Sequence, residues 1–394
     1  MDAIKERGGS TRRFPPGFQR LVALKQLAQK MRGLIHAGRF ETAFALGERI
    51  MATRPPAEVI EDVMYPVDRG LATFPDSGLY DLLQAALKHS GRGRFRPWYI
   101  LLTTVLLDRL HWSSEALRES EKFLSLPSRY GWMRWHRGLM LLNNHWDKSA
   151  AAAEFQAVLQ SMPQVWKARA LLAEIALLQD DRAGAFRIMD QLLRNVTDYD
   201  RGSTLAWRGE MRLWAGEYRA AIPDLNEAIR WESPLALCWR GAAHVKLGNF
   251  PDALRDLDSQ LRSHPEDQEA LIWRGEARRL LGRLREALAD LDAACRFGNS
   301  PLWAYVNRAL TRARLRDVLG LRSDYLLVPE WVRSYFSWKL GADVKPDTPP
   351  RIITAQLEAM LEAARGIRRN DQYLYSLWLK PLAAPRALRP AQSR

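Results

Sequence analysis

Apolar positions along this chain recur mainly at helical spacing. Leu21, Leu24, Leu27, Ala28 and Met31 mark a first helix, and a second runs on to Pro55-Pro56, where proline ends it. Val59, Ile60, Val63 and Met64 suggest another helix, and Leu79 to Leu87 its partner across a longer loop. From Pro97 the pattern becomes regular. Trp98–Leu110 pairs with Ser114–Leu124, Trp132–Asn143 with Lys148–Gln160, and Trp166–Leu178 with Ala183–Leu193. Residues 195–203 read as an irregular joint. Beyond residue 316, Pro329-Glu330-Trp331 opens a helix through Trp338, Ile353–Ala364 is amphipathic, and Gln372–Lys380 forms an aromatic last helix.

The strongest pattern lies between Leu205 and Leu315. Trp-Arg-Gly stands at Trp207, Trp239 and Trp273, with an altered copy at Asn307-Arg308-Ala309, so the period is about 32–34 residues. Each full copy is followed by a turn phrase: Gly216-Glu217-Tyr218 then Ala221, Gly248-Asn249-Phe250 then Ala253, Gly282-Arg283-Leu284 then Ala287. Gly38-Arg39-Phe40 then Ala43 is the same phrase near the start. A glycine inside a helix costs about 1 kcal/mol against alanine, so Gly209, Gly241 and Gly275 imply a close approach. The expected partners are Ala221, Ala253 and Ala287, with Leu225, Leu257 and Leu291 buried between neighbouring hairpins. The copies also fix Arg208, Arg240, Arg274, Arg308 and Arg137 against Asp224, Asp256, Asp258, Asp290 and Asp292, which predicts a recurring structural ion pair.

These segments resemble tetratricopeptide repeats, matching their early large residue, glycine, aromatic, alanine and terminal proline piecewise. The match is strongest over 200–315, weaker over 97–195 and 18–56, and absent after about 320. The terminal proline is present at Pro265, shifted at Pro234 and replaced at Asn299. The resemblance implies an all-α, right-handed superhelical solenoid of about seven to nine helix-turn-helix hairpins with a helical C-terminal cap. The expected layout is a disordered basic leader (1–17), degenerate hairpins (18–95), repeat-like hairpins (96–200), well-matched repeats (201–316), a helical cap or docking region (317–380) and a flexible tail (381–394).

Charge refines this picture. The formal net charge is +14, but the ends carry about +7 (1–56) and about +8 (302–394), leaving 57–301 near neutral. That disfavours a continuous nucleic-acid track. Two cysteines give neither a disulfide framework nor a metal spacing, and suit a reducing compartment. With no signal peptide and no apolar run of about 18 residues, the expected location is cytoplasmic, without a membrane span. No phosphate loop, His-Glu-x-x-His or Gly-x-Ser-x-Gly occurs, so no enzyme, cofactor or metal is expected.

In repeats of this family the first helices line a concave groove that holds ligands. Trp207 lies about 200° around its helix from Gly209, away from the partner helix. The resemblance therefore places Trp207, Trp239 and Trp273 in or beside that groove. Trp132, Trp135, His136, Trp303 and Asn307 fall near corresponding positions, and Glu210, Glu276 and Arg279 occupy groove positions. The alternative is that these tryptophans fill interfaces between hairpins. The set Ala206, Glu210, Leu213; Cys238, Ala242, Val245; Ile272, Glu276, Arg279 is not the Lys, Asn and Arg set with which family members grip a C-terminal carboxylate. Arg365, Arg368, Arg369, Tyr373 and Trp378 are candidates for C-terminal docking. The expected function is a non-enzymatic scaffold or adaptor holding a partner protein or extended peptide. The alternatives are an accessory subunit of an enzyme complex and a helical-repeat RNA binder, the latter opposed by Glu210 and Glu276.

Overall fold

A computed structural model describes residues 18–64, 75–91, 93–296, 302–341, 344–345 and 347–363. Among them every regular element is a helix. The chain divides into two compact units, Met1–Ala168 and Arg169–Arg394. The first holds α1 (Phe18–His36), α2 (Phe40–Ala52), α3 (Ala57–Met64), α4 (Asp76–Leu87), α5 (Arg96–Arg109), α6 (Ser113–Ser120), α7 (Arg134–Asn143) and α8 (Lys148–Ser161). Two 3-10 segments, Glu121–Ser125 and Ser128–Met133, join α6 to α7. They take up the end of the expected 114–124 helix and the start of the expected 132–143 helix.

Helix α9 (Trp166–Leu178) runs into the second unit. That unit continues with α10 (Arg182–Asn195), α11 (Asp198–Trp214), α12 (Tyr218–Arg230), α13 (Ala236–Lys246), α14 (Phe250–Ser263), α15 (Gln268–Leu280) and α16 (Leu284–Arg296). It closes with α17 (Leu302–Arg314), α18 (Val318–Leu327), α19 (Glu330–Leu340) and α20 (Pro350–Ala363). Helices pack as consecutive antiparallel pairs, α11 with α12, α13 with α14, α15 with α16, α17 with α18. First helices of neighbouring pairs also touch, α11 with α13, α13 with α15, α15 with α17.

The turn inside each pair has one device. The first helix ends in a residue of positive φ: Gly216 (76°), Gly248 (74°) and Gly282 (80°) in the three clearest copies. The next amide closes the helix onto the carbonyl five residues back, as Glu217 N–H does on Arg212 O at 2.8 Å. His111 (60°), Trp146 (57°), Asp180 (67°) and Arg316 (63°) hold the same place without being glycine. Several starts are capped by a side chain: Asp147, Asp181, Thr197, Asp267 and Asp317 each accept the amide three residues on.

Three expectations change. Residues 195–203 are not an irregular joint, because Thr197 caps α11, which starts at Asp198. Gly202 lies inside that helix, where an added Cβ would meet Trp231 Cβ at 2.6 Å. The repeat does not stop at residue 316, since α17 and α18 complete a fourth hairpin whose turn uses Arg316 instead of glycine. The mid-helix glycines also face leucine rather than alanine. A Cβ on Gly209, Gly241 or Gly275 would sit 2.7, 2.6 or 2.7 Å from Leu225, Leu257 or Leu291 of the same hairpin. Each leucine is fully buried, so the bulky side chain of the second helix seats on the bare backbone of the first.

Candidate functional site

Arginine and aspartate form a continuous ladder through the second unit. Arg208 grips the buried Asp224 of its own hairpin through Nε (2.9 Å) and Nη2 (2.5 Å), and its Nη1 reaches back to Asp190 at 2.6 Å. Arg274 repeats this with Asp290 and Asp258, and Arg308 with Asp324 and Asp292. Arg240 holds Asp256 and reaches back to Asn226 instead of an aspartate. Arg212, Arg278 and Arg312 add a second guanidinium to Asp224, Asp290 and Asp324. The planar fork of arginine suits one such two-sided clamp per repeat. The ladder therefore fixes hairpin to hairpin. In the first unit Arg137 and Arg134 both approach the buried Glu154, where burial raises the carboxyl above its ordinary range and the two arginines oppose it.

The tryptophans divide by burial. Trp239 and Trp273 are buried, as are Trp303 and Asn307, while Trp207 is half-buried. Glu276 and Arg279 are also buried and Glu210 is half-buried. The indoles thus mainly fill the stack, and Trp207 with Glu210 remains at its surface.

Five of these residues meet around a lysine that periodicity does not reveal. Lys246 Nζ lies 4.8 Å from the Trp273 ring centre and 5.1 Å from that of Trp303, and 3.2 Å from Glu276 Oε1. Glu276 Oε2 accepts Trp303 Nε1–H at 3.0 Å, and Arg279 donates to Asn307 Oδ1 at 3.1 Å. Burial opposes the Glu276 charge, but Lys246 and Arg279 hold its carboxyl below the ordinary range. This cluster ties α13, α15 and α17 together. At the position of Lys246 the other copies carry Trp214, Leu280 and Arg314, so no repeat signal announces it.

A second cluster is acidic and less enclosed. Glu210 of α11 is pushed well up by burial, reinforced by Glu174 of α9 and Glu269 of α15. Glu269 is pushed up to about 7 by burial and by Asp267. Cys238 of α13 sits among them, its thiol raised by burial and then by Asp267, Glu269 and Glu210. Three first helices, α9, α11 and α15, thus bring acids together, with Cys238 of α13 between them. Glu174 and Glu269 escape the sequence pattern. Glu174 holds the place of Glu210 and Glu276 in a copy whose Trp-Arg-Gly has been lost, and Glu269 stands where other copies carry Ser203, Leu235 and Trp303.

In the first unit Trp132, Trp135 and His136 are all buried. Trp132 packs against Trp98 with ring centres 5.4 Å apart, and Trp135 meets Phe155 at 5.5 Å. Glu48 accepts from both Trp98 Nε1 and Tyr130 Oη at 2.8 Å, an arrangement no motif signals. Arg365, Arg368, Arg369, Tyr373 and Trp378 lie outside the described residues, as do the expected leader and tail. Among the described residues no group of acidic, histidine and cysteine side chains is arranged to hold a metal ion, and no helix is long and apolar enough to cross a membrane.

Paired helices with a 32–34-residue period, a glycine-leucine contact in each and a shared ion-pair ladder define an all-α helical-repeat protein. Residues 240–301 match the family model described as tetratricopeptide repeat, so that stretch is made of repeats of this kind. None of the curated proteins matches the sequence. Similar solved structures include a tetratricopeptide repeat protein from Parabacteroides merdae (13% identity, 75% of this chain and 98% of that one, TM-score 0.39). Yeast Tom70 aligns at 11% identity over 88% of this chain and 90% of its own, with a TM-score of 0.38. The TPR domain of P58(IPK) aligns at 13% identity over 75% and 79%, with a TM-score of 0.28.

Proposed function

We propose that this protein is a non-enzymatic scaffold that holds a partner protein or extended peptide against the first-helix face of its second unit. The observation that carries the reading is the division of labour between the two kinds of helix. The ion-pair ladder ties first to second helices and hairpin to hairpin. The first-helix face instead gathers Trp207, Glu210 and Glu269, all half-buried. Rigid elements that present an aromatic side chain beside acids supply an anchor and a polar rim. Burial and neighbouring acids, Glu174 and Glu269 for Glu210 and Asp267 for Glu269, raise the proton affinity of the two carboxyls, so an incoming cation is stabilised there by offsetting that repulsion. The favoured ligand is accordingly a segment carrying lysine or arginine next to an apolar side chain.

The test is affinity capture with wild-type protein and with a Trp207→Ala, Glu210→Gln, Glu269→Gln variant, matched for circular dichroism and melting temperature. The reading expects a saturable partner whose binding falls at least about ten-fold in the folded variant. Unchanged binding by the folded variant rejects it.

A further inference from the structure

The first unit holds a cleft on the edge of the hairpins, remote in kind from the first-helix face just described. Its larger part, about 580 Å³, is bounded by the end of α2, the Arg129–Trp132 segment and the Ser161–Gln164 turn. A second part of about 390 Å³ adjoins it, and the two share Arg54 and Gln164. Each part lies in the size range of ligand sites, and together they form an elongated groove suited to an extended chain.

The chemistry of the walls is specific. Arg54 and Arg129 stand exposed at the larger part, and Arg54 and Arg20 at the smaller. Among the described residues none of these three guanidinium groups has a carboxylate partner; Arg20 donates to Thr53 O at 3.0 Å and Arg129 stacks 5.0 Å over the Tyr130 ring. The one acid in the wall, Glu48, is already engaged by the neutral donors Trp98 Nε1 and Tyr130 Oη. Between the arginines the floor is apolar, formed by Met51, Met162 and Trp132, and methionine adapts to varied side chains. Gln164 donates its amide to Pro55 O at 3.2 Å, which holds its carbonyl oxygen in the groove wall as an acceptor for a backbone N–H.

We infer that this cleft binds an acidic peptide segment, with two carboxylates met by Arg54 and by Arg129 or Arg20 and an apolar side chain seated on Met51, Met162 and Trp132. Arginine pairs carboxylates in two-pronged fashion, and unpaired guanidinium groups flanking an apolar floor select that combination over a purely apolar or a basic ligand.

The probe is a fluorescein-labelled pool of end-blocked octapeptides, each with two Asp or Glu and one Leu, Phe or Trp. A matched pool carries Asn and Gln in place of the acids. With the full-length protein in fluorescence polarisation, the acidic pool is expected to bind at least ten-fold more tightly than the amide pool. Arg54→Glu and Arg129→Glu, both surface changes, are each expected to weaken it at least ten-fold with unchanged melting, whereas Arg219→Glu, exposed on α12, leaves it intact. Equal binding of both pools, no binding by either, or full binding by Arg54→Glu and Arg129→Glu overturns the inference. So does competition by N-acetylglutamate or inorganic phosphate as effective as by peptide, which makes the cleft a small-anion site.

Discussion

Arg308 Nη2 lies 2.6 Å from Oδ1 of Asp324, a carboxylate with no solvent exposure. The contact spans sixteen residues, the same separation as Arg208–Asp224, Arg240–Asp256 and Arg274–Asp290. One interaction thus defines each hairpin, and the same arginine continues it into the hairpin before. Deleting Asp224, Asp290 or Asp324 takes a shared partner from two guanidinium groups. Asp290→Ala is expected to cost about 3–5 kcal/mol, because Arg274 and Arg278 lose their shared partner. Asp258→Ala removes the solvent-exposed rung and is expected to cost less than about 1 kcal/mol. Urea unfolding of both variants, fitted with nearest-neighbour coupling between repeats, checks the contrast.

Gly241 and Gly248 are fixed for different reasons. An alanine at Gly241 places its Cβ 2.6 Å from Leu257 Cγ, so the hairpin must open, at about 1–3 kcal/mol. At Gly248 there is open space but φ is 74°, and alanine there costs about 1 kcal/mol through the backbone alone. Shortening Leu257 to Val is expected to recover part of the first loss and none of the second. Thermal melts of the single and double variants read this out.

Stability near neutrality is expected to fall as pH rises. Glu269 has an ordinary value of 4.5 and is raised to about 7 in the folded chain. Between those limits the folded chain keeps a proton that the unfolded chain has released. Its contribution is present below about 4.5 and lost as pH rises through about 7, on the order of 1–3 kcal/mol. Melting temperatures from pH 4.5 to 7.5 should therefore decline in the wild type relative to Glu269→Gln. Parallel profiles contradict the assignment.

Lys246 is expected to matter more than its lack of periodicity suggests. Lys246→Met removes the cation facing Glu276 and both indoles, leaving a buried carboxylate with less compensation, at a cost of about 3 kcal/mol. The double variant Lys246→Met, Glu276→Gln is expected to lose less than the sum of the singles, measured by a double-mutant cycle.

The hairpin order was legible because Trp-Arg-Gly and a turn phrase of glycine, any residue and a bulky residue recur together. Where only half the phrase survives, sequence alone misleads. Arg316 performs the turn of a glycine, which hid the hairpin of α17 and α18. Thr197 caps α11 within the stretch 195–203 that reads as a joint. The proposed binding face was harder to see, because one repeat position holds different jobs in different copies. Trp239 and Trp273 are buried where Trp207 is half-buried, and Glu276 is neutralised by Lys246 where Glu210 is crowded by Glu174 and Glu269. Such differences depend on contacts between hairpins, which the period does not encode.

The scaffold reading is tested most directly by placing a photo-reactive benzoylphenylalanine at Trp207 or Glu210 on α11, and separately at the exposed Arg219 on α12, in cells producing the protein. The account predicts one shared partner adduct from the two first-helix positions and none from position 219. Adducts of equal yield from all three positions, or an adduct from position 219 alone, would contradict it.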